Sequence, residues 1–269
     1  MKITSSANTK IKWIRKLRER KARQETGCFY AEGLRIVMEA VQQGADLQTL
    51  LVAPELLTSA VGLQLVEEQA ARGVEVIEVS GEVFQSVALK EAPVGIAAVV
   101  RQHWLALEQA EVRPGECWVA LDEVADPGNL GTILRTNDAV GGQGVILLEH
   151  CTDPFDPTAM RASMGALFSQ RLVKAAWDEF AEWKRSRGVP LVGTSGGAAL
   201  DYRAAVYPAR LVVLMGSERE GLDAQQMQLC DQMVSLPMVG RSDSLNLAVA
   251  TGVMLYEVFN QKRKSKELA

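Results

Sequence analysis

Apolar residues occur along the chain in short runs that alternate with longer stretches of mixed character. Between residues 27 and 100 the runs are "CFYAE", "TLLVA", "VEVIEV" and "IAAVV", and the stretches between them include "GLRIVMEAVQQG" and "VGLQLVEEQAARG". Short runs rich in Val, Ile and aromatic residues predict strands, and the mixed stretches have the spacing of amphipathic helices. This part of the chain is therefore predicted to form a small α/β domain.

From residue 117 onward the apolar runs are almost continuous, as in "WVALD", "GVILLE", "VPLVGT", "RLVVLMG" and "MVSLPM". Strands buried on both faces have this character, so the pattern predicts a parallel sheet covered by helices on both sides. The periodicity lapses between the two parts, where "RQHWLALEQAEVRPGE" contains a Pro-Gly turn. We predict a first domain over residues 1–103, a linker over 104–116 and a second domain over 117–269.

Charge is concentrated at the start of the chain. Residues 1–23 contain nine Lys or Arg and one acid, Glu19, although the formal net charge of the whole chain is −4. Ile11, Ile14 and Leu17 are interleaved at helical spacing, so that one side of the segment can pack while the other meets a polyanion. An ordinary solvated helix face would show the same pattern, and both interpretations stay open.

Composition excludes several kinds of protein. The four cysteines have no paired spacing and the chain has two histidines, so neither a disulfide framework nor a metal site is predicted. The sequence has no run of 18 apolar residues, no secretory signal and no glycine-rich nucleotide motif, and the expected location is the cytoplasm.

Four loops that follow predicted strands share an unusual composition. They contain "DPGNLGTILRTNDAVGG", "TSGGA", "SEREG" and "VGRSDSLN", which are rich in Gly, Ser, Thr or Asn. Ligands of parallel sheets bind beyond the carboxyl ends of the strands, and these residue types let backbone groups approach a ligand closely. The sequence therefore predicts one shared pocket at this edge of the sheet.

One of these loops also matches a hydrolase motif. "GTSGG", residues 193–197, fits G-x-S-x-G, which would make Ser195 a nucleophile. In that fold the histidine follows the serine along the chain, whereas His103 and His150 precede Ser195. A serine hydrolase is therefore kept only as a minor alternative.

Four stretches between residues 118 and 258 follow one another in a set order: "LDEVADPGNLGTILRTNDAVG", "RASMGALF", "LVVLMGSEREGL" and "LPMVGRSDSLNLAVATGVMLYE". Together they resemble the motifs of the SpoU-type, or TrmH-like, branch of the SPOUT RNA methyltransferases. The N-terminal part resembles the L30e/L7Ae-like substrate-binding domain of the ribosomal RNA members. The resemblance implies an α/β fold with a deep trefoil knot in the C-terminal domain, a homodimer, and 2′-O-ribose methylation of RNA with S-adenosylmethionine as methyl donor.

The resemblance also implies the site residues. The implied catalytic residues are Asn129, Arg135, Glu218, Ser244 and Asn246. The implied cofactor contacts are Thr194, Met215, Gly216, Leu236, Met238, Leu245 and Asn246. RNA contacts are predicted at Lys10, Lys12, Arg15, Lys16, Arg20, Lys21, Arg23 and Arg161, and no metal is expected. The predicted substrate is 23S ribosomal RNA, with tRNA methylation or non-catalytic RNA binding as alternatives.

Physical chemistry limits the roles of these residues. A ribose 2′-hydroxyl must lose its proton as it attacks, but an arginine with a pKa above about 12 is a reluctant base. We therefore interpret Arg135 as a bidentate phosphate clamp and leave the base unassigned.

Simpler structural roles remain open for several of the same residues. Asn129 could be a turn residue, Glu218 could cap the helix that follows it, and Ser244 or Asp243 could cap the last helix. One helical face carries Leu245, Val249, Val253 and Tyr256, which predicts either core packing or a dimer contact.

Overall fold

The chain folds into two compact units. The structure is a computed structural model that describes residues 2–267, with side chains up to residue 264. One unit comprises Met1–Gln102 with Phe155–Phe168, and the other comprises His103–Pro154 with Ser169–Ala269. The first unit thus takes a segment from the middle of the predicted second domain, which differs from the contiguous domains that the sequence predicts.

The first unit is built on a four-stranded sheet. Its strands are β1 (Cys28–Glu32), β2 (Leu47–Val52), β3 (Glu75–Glu78) and β4 (Ile96–Arg101), in the order β1-β4-β2-β3. Its helices are α1 (Thr9–Lys16), α2 (Arg20–Thr26), α3 (Leu34–Gln42), α4 (Ala60–Ala71), α5 (Gly81–Val87) and α7 (Pro157–Ser163). β4 pairs antiparallel with β1 and β2, whereas β2 and β3 are parallel. β1 is therefore an edge strand, and α7 packs against it.

The basic N-terminal segment forms α1 and α2. Ile11, Ile14 and Leu17 are almost fully buried in a cluster with residues from β1, β2 and α5, as their helical spacing predicts. Asn8 caps α1 by accepting a hydrogen bond from the backbone N–H of Lys10 at 2.9 Å. One face of this segment is therefore fixed to the sheet by apolar packing.

Arg23 lies inside the first unit. Its side chain is 1% exposed, and its guanidinium donates to the carbonyls of Leu17 at 3.0 Å and Arg18 at 2.7 Å. It also pairs with Asp156 at 3.3 Å. A buried charge is tolerated only when it is paired and hydrogen-bonded, which is the case here. The predicted RNA contact of Arg23 is incompatible with this burial, because its donors already bind protein acceptors.

Residues 155–168 belong to the first unit through specific contacts. The Phe155 and Phe168 rings lie 4.7 and 6.0 Å from the Phe29 ring of β1, measured between centroids. Gly165 has φ of +98°, and a Cβ there would lie 2.8 Å from Cγ of Glu39. Glycine is therefore required at this position both for its backbone conformation and for the close approach of α3.

The second unit contains a seven-stranded sheet. Its strands are β5 (Cys117–Asp122), β6 (Gly144–Leu148), β7 (Arg171–Ala175), β8 (Leu191–Thr194), β9 (Leu200–Asp201), β10 (Leu211–Met215) and β11 (Gln232–Ser235), in the order β7-β6-β5-β10-β8-β11-β9. Its helices are α6 (Pro127–Ala139), α8 (Trp177–Arg187), α9 (Ala224–Leu229) and α10 (Leu247–Glu267). Every neighbouring pair in this sheet is parallel, which confirms the predicted α/β class.

The strand order decides which loops meet. The carboxyl ends of β5, β10, β8 and β11 lie side by side, because these four strands are consecutive neighbours. The predicted linker is also part of this unit: Leu107, Ala110 and Val112 are buried in its core, and Trp183 Nε1 donates to the Ala110 carbonyl at 3.2 Å. The segment 104–116 is thus packed against the sheet along much of its length.

We expect Arg23→Ala to lower the free energy of unfolding by about 3 kcal/mol, because it leaves two carbonyls without their donor and Asp156 without its ion pair. Thermal or urea unfolding followed by circular dichroism measures this change. Lys12→Ala removes an exposed cation from the same segment and should change stability by less than about 0.5 kcal/mol. Equal stability of the two variants would contradict a structural role for Arg23.

Candidate active site

The stretch that follows β5 begins a helix. Asp126 is the N-cap of α6 and accepts from the backbone N–H groups of Gly128 at 2.6 Å and Asn129 at 3.3 Å, while Pro127 occupies the first turn. An Asp-Pro pair is a typical helix start, because proline lacks the N–H that would remain unbonded there. Asn129 therefore lies in the first turn of α6. It is not a residue of a separate turn before the helix, which the sequence analysis kept as an alternative.

Three polar side chains form a hydrogen-bonded chain at this place, which we call the amide chain (Asn246, Asn129 and Glu218). Asn246 Nδ2 donates to Asn129 Oδ1 at 2.9 Å, and Asn129 Nδ2 donates to Glu218 Oε1 at 3.2 Å. Glu218 Oε2 accepts from the backbone N–H of Ala125 at 3.3 Å. The structure thus joins three of the five implied catalytic residues.

The direction of the amide chain is fixed by α10. Asn246 Oδ1 accepts from the backbone N–H groups of Ala248 at 3.0 Å and Val249 at 3.3 Å. Since a backbone N–H only donates, the oxygen of Asn246 must point to the helix and its NH₂ must point to Asn129. Asn129 must therefore turn its oxygen toward Asn246 and its NH₂ toward Glu218. Each of the two amides can adopt one orientation only.

These contacts decide two alternatives that the sequence left open. Asn246 is the N-cap of α10, so neither Ser244 nor Asp243 has that role. Glu218 does not cap α9, because Asp223 accepts from the Gln226 N–H at 2.7 Å and fills the cap position. The carboxylate of Glu218 is therefore used by the amide chain.

Arg135 and Ser244 lie outside the amide chain. Arg135 is exposed on α6, and its guanidinium forms no hydrogen bond or ion pair with any residue that the structure describes. Ser244 is exposed and its hydroxyl contacts Asp243 at 3.5 Å. An arginine whose donors are all available to an external group fits the predicted phosphate clamp.

The implied cofactor contacts lie on loops at the carboxyl ends of neighbouring strands. Thr194 ends β8, Met215 ends β10 with Gly216 directly after it, and Leu236 follows β11. Thr194 Oγ1 lies 3.5 Å from Met215 Sδ, which links two of the loops. A Cβ on Gly216 would lie 2.2 Å from the carbonyl carbon of Gly221, so only glycine lets this loop fold back on itself.

The same loops leave apolar side chains uncovered. Met238 is 37% exposed, Leu245 is 41% exposed, and Val239 is fully exposed. Ligand sites typically combine an apolar lining with a few directed polar groups. The apolar side chains and backbone groups of these loops fit S-adenosylmethionine, whose adenine ring is flat and largely apolar.

Asp122 connects the end of β5 to α9. Its Oδ2 accepts from Gln226 Nε2 at 2.8 Å, and its Oδ1 is buried without a hydrogen-bond partner. Burial raises the pKa of the Asp122 carboxyl, and the nearby carboxylates of Glu123, Asp223 and Glu149 raise it further. Asp122 was not predicted as a site residue.

The predicted RNA contacts other than Arg23 lie at the surface to different degrees. Lys12, Lys16, Arg20, Lys21 and Arg161 are exposed. Lys10 is exposed but pairs with Glu75, and Arg15 is half-buried with one guanidinium nitrogen 2.9 Å from Ser86 Oγ. The exposed face of α1 and α2 therefore retains several cations for a polyanion.

The residues that a hydrolase would need are not assembled. Ser195 Oγ accepts from the Gly197 N–H at 3.3 Å, and no histidine among residues 2–267 is hydrogen-bonded to it. Burial raises the pKa of both Cys151 and Cys230 to about 12, so these thiols are protonated and unreactive near neutral pH. Within the described residues, Ser195 thus lacks a histidine base and these two thiols lack the thiolate form that a nucleophile needs.

The described residues also lack two further features. No group of three or more His, Cys, Asp or Glu side chains in this part of the chain could hold a metal ion. None of the helices between residues 2 and 267 is long and apolar enough to cross a membrane.

Asn246→Ala should lower the free energy of unfolding by about 1 kcal/mol, because the N-terminus of α10 loses its capping oxygen. Asn246→Asp keeps that oxygen but cannot donate to Asn129, so its stability should stay near that of the parent protein. Thermal unfolding of both variants separates the cap from the contact with Asn129. An Asp variant destabilised as much as the Ala variant would contradict the capping role of Asn246.

Comparisons with known proteins extend over almost the whole chain. The SpoU rRNA Methylase family matches residues 116–256, and the MRM3-like substrate binding domain matches residues 8–98. The chain is 33% identical to the 23S rRNA (uridine(2479)-2′-O)-methyltransferase of Streptomyces viridochromogenes, over 97% of this chain and 92% of that protein. It is 28% identical to the 23S rRNA (guanosine(2553)-2′-O)-methyltransferase RlmP of Bacillus subtilis, over 95% and 98% of the two chains.

The fold agrees with a solved structure of similar sequence. The AdoMet-bound rRNA methyltransferase of Sinorhizobium meliloti superposes with a TM-score of 0.89 at 38% identity, covering 97% of both chains. The resemblance deduced from the four motifs is thereby confirmed. With its parallel sheet, its amide chain and these matches, the chain belongs to the SpoU rRNA Methylase family.

Proposed function

We propose that the protein transfers a methyl group from S-adenosylmethionine to a ribose 2′-hydroxyl of 23S ribosomal RNA. The observation that carries this proposal is the amide chain, which fixes Asn129 in the first turn of the helix that also carries Arg135, an arginine with available donors. Orientation of reacting groups is a major source of catalytic rate, and a site of fixed amides and one free guanidinium is suited to orienting a ribose phosphate.

The methyl donor would be held by the loops after β8, β10 and β11. Thr194, Met215, Gly216, Leu236, Met238 and Leu245 are the residues proposed to contact it, with Asn246 at their boundary. When bound, S-adenosylmethionine supplies an electrophilic methyl group on a positively charged sulfur. Backbone groups and apolar side chains of this chain would enclose it and exclude water from the reacting atoms.

The chain's own residues would prepare the ribose. Arg135 binds a phosphate next to the target nucleotide through its planar fork, which places the 2′-hydroxyl near the loops. Asn129 has its carbonyl and one N–H already used, so its remaining N–H is available to the substrate. Ser244 is exposed beside Asn246 and offers a hydroxyl for a further contact. The proton acceptor is left unassigned.

Ribosomal RNA is favoured over tRNA by the N-terminal part. The MRM3-like substrate binding domain matches residues 8–98. The two relatives from Streptomyces viridochromogenes and Bacillus subtilis align over nearly their whole lengths, and both are named as 23S rRNA methyltransferases. The exposed cations of α1, α2 and Arg161 are proposed to contact RNA phosphates. The target is proposed to be a single-stranded loop, where a 2′-hydroxyl is accessible without opening a duplex.

A homodimer belongs to the same proposal. Val249 and Tyr256 are 52% and 48% exposed, and they are seven residues apart on one face of α10. An exposed apolar row on a helix is typical of an interface.

A deep trefoil knot in the second unit is also proposed, supported by the family to which the chain belongs. A cytoplasmic location is also proposed, supported by four cysteines whose positions have no paired spacing.

The first experiment is transfer of labelled methyl groups from S-adenosylmethionine to unmodified 23S rRNA and to tRNA, followed by digestion to nucleosides. We expect a 2′-O-methyl nucleoside from the rRNA only. Arg135→Ala should lower the rate at least about a hundredfold because the phosphate clamp is lost. Arg135→Lys keeps the charge without the fork and should lie between the two.

Arg203→Ala is the matched control, because Arg203 is also an exposed arginine of the second unit and should leave the rate unchanged. Methylation of tRNA instead of rRNA would overturn the proposed substrate. An absence of transfer to either RNA would overturn the proposed reaction.

Val249→Asp with Tyr256→Asp should convert the protein from a dimer to a monomer in sedimentation experiments, because two charges would be buried at the contact. Val61→Asp is the matched control, since Val61 is 54% exposed on α4 of the first unit. A parent protein that sediments as a monomer, or a double variant that stays dimeric, would contradict the proposed interface.

A further inference from the structure

The loop between β10 and α9 carries two of the proposed site residues, Gly216 and Glu218, and it is tightly folded. The backbone N–H of Gly221 donates to the Ser217 carbonyl at 3.1 Å, and the two residues form an antiparallel bridge. We call residues 217–221 the site turn. Its internal hydrogen bonds fix its shape, so its place in the fold is set by the contacts that it and its flanking residues make with other segments.

The segment after the site turn is held by Gln226 of α9. Gln226 Oε1 accepts from the backbone N–H of Asp223 at 2.9 Å, and Gln226 Nε2 donates to Asp122 Oδ2 at 2.8 Å. Because a backbone N–H only donates, the oxygen of Gln226 must face Asp223 and its NH₂ must face Asp122. Gln226 thus ties the segment after the site turn to the end of β5.

A second connection joins the same two parts of the chain. Glu218 of the site turn accepts from the Asn129 side chain and from the Ala125 backbone N–H. Glu218 is exposed, and water competes for the hydrogen bonds of exposed side chains. Gln226 and Asp122 are both buried, so water does not compete for their contact. The buried contact is therefore the firmer of the two connections.

Stability alone does not account for a carboxylate at position 122. Asp122 is 7% exposed, and its Oδ1 is buried without a hydrogen-bond partner among the described residues. A buried carboxylate with an unpartnered oxygen destabilises a fold. In several proteins such groups are kept because they fix one arrangement of the chain. The contact between Asp122 and Gln226 has the geometry for that role.

We infer that Gln226 is a positioning residue for methyl transfer. By tying α9 to Asp122, it holds the site turn at the end of β10. The turn in turn places Gly216 against the methyl donor and Glu218 against Asn129. Gln226 is buried and acts only through the turn. The inference rests on the proposed function, because Gly216 is one of the proposed donor contacts.

The test is Gln226→Glu, assayed by calorimetric titration with S-adenosylmethionine. The new side chain keeps the oxygen that accepts from Asp223, but it cannot donate to Asp122 and adds a second carboxylate there. We expect the dissociation constant to rise about tenfold, a usual size for the coupling of two bonded side chains. The KM for S-adenosylmethionine should rise with it, while the KM for 23S rRNA stays unchanged.

Exchange of donor and acceptor should restore the contact. When Asp122→Asn is combined with Gln226→Glu, the Asn amide can donate to the Glu carboxylate. The affinity for S-adenosylmethionine should then return to within about twofold of the parent value. Asp122→Asn alone keeps an oxygen that accepts from Gln226, so it should also bind the methyl donor normally.

Gln226→Glu should also regain affinity at low pH. Burial and the carboxylates of Glu123, Asp223 and Glu149 raise the pKa of the Asp122 carboxyl. When the pH falls from about 8 to about 6, two adjoining buried carboxyls can share one proton, which then serves as the donor. The parent protein should show no such gain, because a protonated Asp122 and an ionised one both accept from Gln226.

Gln225→Glu is the matched control. Gln225 is the exposed neighbour of Gln226 on α9, so the variant makes the same charge change and should leave the affinity unchanged. Thermal unfolding checks the folding of each variant. If Gln226→Glu fails to fold, Gln226→Met removes the donor without adding a charge, and we expect the same loss of affinity.

Hydrogen exchange of the ligand-free protein gives a readout that is independent of the methyl donor. The backbone N–H of Gly221 closes the site turn. It should exchange faster in Gln226→Glu than in Gln225→Glu, because the turn is then held at fewer points.

Unchanged affinity for S-adenosylmethionine in a folded Gln226→Glu variant would overturn the inference. A loss that the double variant does not restore, or an equal loss in Gln225→Glu, would also overturn it. Calorimetry uses no RNA, so a parent protein that binds S-adenosylmethionine but methylates neither RNA would overturn the proposed reaction alone.

Discussion

The N-terminus of α10 is the constraint on which the active site depends. Two backbone N–H groups that cannot accept a hydrogen bond determine where the oxygen of Asn246 points. The NH₂ of Asn246 then donates to Asn129, and this contact in turn directs the NH₂ of Asn129 to the carboxylate of Glu218. The site therefore gains its order from main-chain atoms, which hold both amides in one orientation.

The same contacts explain why the site needs the complete second unit. Asn129 is 117 positions from Asn246 and 89 positions from Glu218 along the chain. They meet because β5 and β10 are neighbours and because α10 returns to pack on α6. Contacts of this separation form late, since loop closure opposes them until the sheet is assembled. Binding of the methyl donor and orientation of the ribose are thus properties of the finished fold.

Much of this arrangement could be read from the sequence, and what could not has physical reasons. The apolar runs predicted the strands, because a strand buried on both faces needs apolar residues along its whole length. The order of the strands in the sheet could not be predicted, because it does not change the residue pattern within a strand.

The charge of Arg23 suggested a surface role, but its burial depends on Asp156, which lies far away in sequence. The sequence left Ser244 or Asp243 open as the cap of α10, two or three residues before the observed cap at Asn246, because Ser, Asp and Asn all suit that position.

Residues 155–168 give the molecule an order of assembly. As the chain emerges from the ribosome, the first 102 residues appear without Phe155, Phe168 and Asp156, so Phe29 and Arg23 must wait for their partners while β5 and β6 are made. The first unit is therefore finished only after synthesis of the second is well under way. Replacement of residues 1–102 alone by another N-terminal part would therefore leave Asp156 without Arg23, and the Phe155 and Phe168 rings without Phe29.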